Sequence, residues 1–206
     1  MRVAYAADPV GLGIDPDVAS VCREAADALA GSGIEVEEIE FDLSYGFEAA
    51  LSIRGYWMVA HQHGHLDRLD ELGVNVRANI EAGLAMSVES LGAAEQARGR
   101  IWEDFRRLFD TCDHLLTPCM AVPPFPVEQN YPETIGGKQM NTYVDWIAPT
   151  FVLSLAGLPI ASVPCGLDSS GMPVGMQIVG RPRDEEATLA LAGRAQDVWN
   201  MGLPES

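Results

Sequence analysis

The feature that most constrains the fold is a strand, a helix and a second strand in immediate succession near the start of the sequence. Val3–Ala7 is a short apolar run closed by Asp8-Pro9 and a glycine-bearing loop through Gly13. Asp15-Pro16 then opens a helix, because aspartate caps free N–H groups and proline is tolerated in the first turn. Val18, Val21, Cys22, Ala25, Ala26 and Leu29 recur at helical spacing until Gly31-Ser32-Gly33 stops the run. Ile34–Phe41 then mostly alternates apolar with polar, as a half-buried strand does. Strands joined through a helix by short loops run parallel, since a crossover returns the chain to the same end of the sheet. An α/β fold is the expectation.

Residues 45–109 contain no proline. Within them Phe47–His65 and Ser87–Phe109 read as helices, with Asn75–Leu84 a third. Ile101, Phe105, Leu108 and Phe109 make an apolar face, with Arg100, Glu103, Asp104, Arg106 and Arg107 largely opposite. The texture then changes. Asp113–Pro118 reads as a strand, and Pro123, Pro124, Pro126, Pro132 and Gly136-Gly137 mark a loop long enough to serve as a lid or binding loop. Thr142–Ala156 reads as a helix interrupted at Pro149. Ile160–Pro164 and Pro173–Val179 read as strands around a hairpin connection at Asp168–Gly171. Asp184 caps a last helix through Trp199. The reading is a single region over 1–206: a βαβ start over 1–43, a helical section over 44–112, and a strand, loop and C-terminal portion over 113–206. The sheet should be mixed and flanked by helices on both faces.

Composition narrows the function. The net charge is −17, from 30 acids against 13 bases. Such a surface repels phosphate backbones and anionic membranes, so neither nucleic acid nor membrane is an expected partner. Hydrophobic residues make up 48% of a 206-residue chain, enough to build a real core. Cys22, Cys112, Cys119 and Cys165 are scattered without the spacing of a zinc or redox motif. They read as free thiols, and a reducing cytoplasm follows as the expected location. The N-terminal MRVAYAADPVG has no charged stretch leading into an apolar run, so no signal peptide is expected.

Three of the four histidines fall in His61-Gln62-His63-Gly64-His65. On a continuous helix His61 and His65 would share a face, but no further ligand stands at helical distance, so no metal site is expected. Gly11-Leu12-Gly13 follows a strand as a dinucleotide turn does, yet Pro16 occupies the place of the third glycine and removes the phosphate cradle. No G-x-S-x-G elbow and no S-x-x-K is present, and the lone lysine, Lys138, sits in a glycine-flanked loop.

The run from Phe151 to Leu167, followed by Gly171 to Gly180, stands apart. It resembles the C-terminal signature of the amidase-signature hydrolases, where a helix leads into G-x-P-x-x-x-x-P-x-G and then G-x-P-x-G-x-Q-x-x-G. Gly157, Pro159, Pro164, Gly166, Gly171, Pro173, Gly175, Gln177 and Gly180 occupy those places. Phe109 and Asp113–Pro118 are similar to the family's F-x-x-x-D-x-L-L-x-P strand. The N-terminal βαβ segment is similar to the part that follows the family's catalytic core.

The resemblance implies the C-terminal portion of that fold and a parent reaction of amide hydrolysis on a small-molecule amide, without cofactor or metal. In the family a serine attacks the carbonyl while a second serine and a lysine relay the proton, all on a glycine- and serine-rich segment that has no counterpart among these residues. No residue here is carried over as catalytic, and the chain alone is expected to be inactive. By position, Met120, Trp146, Ile147 and Phe151 would line the substrate channel. The alternative is that Trp146 and Phe151 are ordinary core residues. Two other uses of the scaffold stay open: a non-catalytic binding module, and one half of an enzyme completed by a separate N-terminal half. Apolar strand surface around Leu158–Val163 and Val174–Val179 is expected to lie bare and to drive association into a homo-oligomer.

Overall fold

In a computed structural model, described over residues 1–202, the βαβ unit is in place. The last four residues of the region expected over 1–206 lie outside the described residues. β1 (Arg2–Tyr5) and β2 (Glu35–Glu38) are parallel, Val3 standing opposite Val36, and α1 (Pro16–Gly31) connects them. Asp15 caps α1 by accepting the Asp17 N–H at 2.9 Å, and Pro16 opens the helix. The second strand is shorter than the Ile34–Phe41 reading. Its one neighbour is β1, itself four residues long, so the flanks of the alternating run have nothing to pair with.

The proline-free middle folds as α2 (Gly46–His61), α3 (Val74–Ala85) and α4 (Val88–Leu108). The Ser87 hydroxyl accepts the Ser90 N–H at 3.0 Å and starts α4. At Gly55 and Gly83, α2 and α3 cross so closely that a Cβ on Gly83 would overlap the Gly55 carbonyl. The expected Phe47–His65 helix stops at His61, and His63–His65 is a separate 3₁₀ turn.

β3 (His114–Pro118) is followed by the proline-rich loop, by a small hairpin of β4 (Thr134–Ile135) and β5 (Lys138–Gln139), and by α5 (Ala148–Ser154). Gly136 and Gly137 form that hairpin's turn, with φ of 53° and 80°. The single helix expected over Thr142–Ala156 is instead a 3₁₀ turn, Asp145–Ile147, leading into α5. Pro149 starts α5 rather than interrupting a longer helix, since the first turn needs no N–H at that place.

β6 (Ile160–Leu167), β7 (Pro173–Val179) and α6 (Glu185–Trp199) complete the chain. The five-stranded sheet has the order β2-β1-β3-β7-β6. β1 runs parallel to β2 and β3, while β7 runs antiparallel to β3 and β6. The sheet is mixed, as expected. β6 continues past Pro164, which an edge strand tolerates because a missing N–H there breaks no ladder.

Each face of the sheet carries its own core. On one, Tyr5, Leu116, Met176 and Ile178 pack against α1 and α6. On the other, Ala4, Leu115 and Val179 pack with Ile101 and Phe105 of α4 and Val152 of α5. The bare surface expected along Val174–Val179 is therefore covered: Val174, Met176, Ile178 and Val179 are buried, because β7 has strands on both sides and a helical layer on each face. What stays open is the outer margin of β6. Among the described residues no helix is long and apolar enough to cross a membrane.

Candidate functional site

Where β3 ends, the chain turns outward and walls a cavity of about 420 Å³. Met120, Val122 and Phe125 line it from the proline-rich loop, Trp146 from the 3₁₀ turn, and Val174 and Gly175 from the start of β7. The lining is apolar, as suits a hydrophobic or aryl group. Asp145 fixes the turn that carries Trp146. Its buried carboxylate accepts the Asn141 and Thr142 N–H groups at 2.6 and 3.0 Å, and the Thr142 hydroxyl as well. The indole packs edge-on against Phe125, ring centres 5.0 Å apart, and against Tyr143 at 6.1 Å. Its Nε1–H is buried and has no hydrogen-bond partner.

The signature residues explain the cavity's floor. Gln177 is 4% exposed, and its Nε2 donates to the carbonyls of Pro118 and Pro149 at 3.1 Å each. One side chain thereby fixes the end of β3 to the start of α5. Gly175 lies where a Cβ would stand 3.2 Å from the Cys119 Cβ, while the Cys119 N–H donates to the Gly175 carbonyl at 2.8 Å. The motif's glycine and glutamine are thus a close approach and a buried amide tie.

Two of the four expected lining residues, Met120 and Trp146, meet in this cavity. Ile147 lines neither it nor the cavity that Phe151 borders. Phe151 packs on Phe47, ring centres 5.9 Å apart, and faces a separate cavity between α2, α4 and α5. Val18 of α1 also reaches the first cavity. Its place in the helical repeat marked it only as core, and nothing in the sequence separated the two roles.

Possible reacting groups are placed as follows. Lys138 Nζ donates to the Gly11 carbonyl, which ties the Gly11–Gly13 loop to the small hairpin. The same loop is held by Asp8, whose carboxylate accepts the Gly11 and Gly13 N–H groups at 2.8 and 2.9 Å. Cys22 and Cys165 lie with their sulfurs 4.0 Å apart in the core, a pairing that sequence spacing did not reveal. The hydrogen bond with Cys165, and then burial, push the Cys22 thiol far up, so it stays protonated. Ser162 Oγ donates to Cys119 Sγ at 3.3 Å beside β6. The His61 ring lies tilted against Trp57, and His65 Nδ1 meets Gln62 Oε1 at 3.1 Å; with α2 ended at His61, the two histidines do not share a helical face. Among the described residues no group of three His, Cys, Asp or Glu side chains is placed to hold a metal ion.

The family model for amidases matches residues 1–189. The chain belongs to the amidase family. Among curated relatives it is 41% identical over 163 residues to a glutamyl-tRNA(Gln) amidotransferase subunit of Myxococcus xanthus, covering 75% of this chain and 31% of that one. To the corresponding protein of Bordetella avium it is 29% identical over 240 residues, covering 99% of this chain and 44% of the other. A bacterial aryl acylamidase of the amidase-signature family superposes with a TM-score of 0.85 at 19% identity, over 99% of this chain and 46% of its own. The chain spans less than half the length of these relatives.

Proposed function

We propose that this chain is the C-terminal scaffold and channel wall of an amidase-signature amide hydrolase, and that the nucleophile acts from a segment outside these 206 residues. The observation that carries the reading is the sheet's margin at β6. That strand has eight residues and no charged side chain, and it is paired on one side only, by β7. A serine-bearing segment seated along β6 would continue the sheet. A small-molecule amide with an aryl or branched apolar group fits the apolar cavity of Met120 and Trp146. The tRNA-linked substrate named for the Bordetella and Myxococcus relatives would not be gripped by this chain itself, because a net charge of −17 repels phosphates. The free thiols suit a reducing cytoplasm.

The test is an assay of the purified 206-residue chain against a panel of aryl and aliphatic amides. No turnover that titrates with protein is expected, since losing the nucleophile of a hydrolase removes most of its rate. Saturable turnover abolished by replacing a serine of this chain would overturn the reading.

A further inference from the structure

The chain is strongly acidic, and most of its arginines stand beside a carboxylate. Arg2, Arg23, Arg68, Arg77, Arg106 and Arg107 all have such partners. Arg54 on α2 differs. It is half-buried, among the described residues no carboxylate pairs with it, and its Nε donates at 2.8 Å to the neutral Asn79 Oδ1 of α3. That bond fixes the guanidinium plane and leaves both Nη groups for another acceptor.

Arg54 lines the cavity of about 410 Å³ between α2, α4 and α5. Arg98 of α4 and His61 of α2 stand in the same wall, and no Asp or Glu does. Arg98 has one weak tie, to Glu95 at 3.5 Å along its own helix, and Glu95 does not line the cavity. Trp57 and Phe151 supply flat apolar surface, with Trp57 51% exposed and tilted against His61 at 5.4 Å. The Ser154 hydroxyl is used internally, donating to the Phe151 carbonyl at 2.7 Å.

We propose that this cavity, separate from the one at Met120 and Trp146, binds an organic carboxylate with an aromatic or compact apolar body. Arginine's planar fork matches a carboxylate with two parallel hydrogen bonds, and the aromatic walls take the rest of the molecule. The cavity is the right size for a small ligand. A phosphate ester offers similar oxygens, but its second charge is repelled more strongly by the field of a protein with net charge −17. A monoanionic carboxylate is therefore the better fit. The site does not depend on the amide-hydrolase reading, because binding is read without turnover.

The experiment is calorimetric titration of the full 206-residue chain with benzoate, benzamide, phenyl phosphate and inorganic phosphate. Benzoate should bind saturably at one site and weaken as salt is raised. Benzamide, which keeps the shape but not the charge, should bind at least about tenfold more weakly. Arg54→Gln should weaken benzoate by about tenfold or more, with Arg54→Lys intermediate. If Arg54→Gln does not fold, as judged by circular dichroism, Arg98→Gln on the exposed side of α4 carries the same comparison. Equal binding of benzoate and benzamide would overturn the site, as would benzoate binding indifferent to both arginine substitutions. Tighter binding of either phosphate would overturn its assignment to a carboxylate.

Discussion

The two margins of the sheet are built in opposite ways. β2 is four residues long and carries Glu35, Glu37 and Glu38, with Arg2 paired to Glu35 at 3.3 Å and Arg23 to Glu38. Charges on a short edge strand make pairing with another strand costly, because they would have to be desolvated beside a like-charged neighbour. β6 is twice as long, and nothing charged stands between Ile160 and Leu167. Its obstacles to pairing are Pro164 and the irregular register between Pro164 and Gly166, which leave Ile160–Val163 regular. One edge is finished against water. The other is the kind of edge a protein continues.

The contrast can be broken first in the strand behind the open edge. Met176 of β7 is fully buried between the helical layers, so Met176→Ala should lower the unfolding free energy by about 2–5 kcal/mol. Urea denaturation measures it. A loss under about 1 kcal/mol would mean that the β6–β7 side is not packed as described. Next in size is Gln177→Leu, which keeps the volume but strands the carbonyls of Pro118 and Pro149. A cost of about 1–3 kcal/mol is expected in the same assay, because buried acceptors lose their partner. A neutral result would show that water replaces the amide.

A smaller effect concerns the turn that holds β6 to β7. Asp168 accepts the Ser170 hydroxyl at 2.7 Å and the Met172 N–H at 2.7 Å, and these bonds hold its carboxyl below the ordinary aspartate value. A depressed folded value means that the contribution is present above the unfolded pKa and is lost as pH falls through the folded one. The turn should therefore tighten the hairpin at neutral pH and loosen only at strongly acidic pH. Amide hydrogen exchange across Ser170–Met172 reads this directly. Asp168→Ala should speed exchange there at neutral pH, and an unchanged rate would show that the backbone geometry alone holds the turn.

Much of this architecture was legible because its causes are local. Asp15-Pro16 and Asp184 announce helix starts through capping, and Gly157, at φ 64°, closes α5 in a conformation few other residues adopt. The Gly171–Gly180 motif located β7 to the residue. What the sequence does not display depends on the third dimension. The sulfurs of Cys22 and Cys165 meet across a long stretch of sequence, and Val18 changes from core residue to cavity wall according to where the loop after β3 falls. The position of Phe151 in the signature predicts a place beside Met120 and Trp146, but α5 turns it toward Phe47 and the arginine-lined cavity. The burial of β7 is hidden for a related reason: an apolar strand does not declare which of its sides another part of the same chain covers.

The openness of β6 is tested most directly by the mass of the purified chain in solution, from light scattering at micromolar concentration. The expected result is a dimer or larger assembly of the 22.2 kDa chain. Burial of apolar edge surface at roughly 25 cal/mol per Å² should outweigh repulsion that salt screens within about 8 Å. Ser162→Lys, a charge placed on the exposed middle of β6, should return it to monomer, while Glu37→Gln on β2 should leave the assembly as it is. A monomeric unaltered chain that binds no hydrophobic dye would contradict the account, for it would show that β6 is as finished an edge as β2.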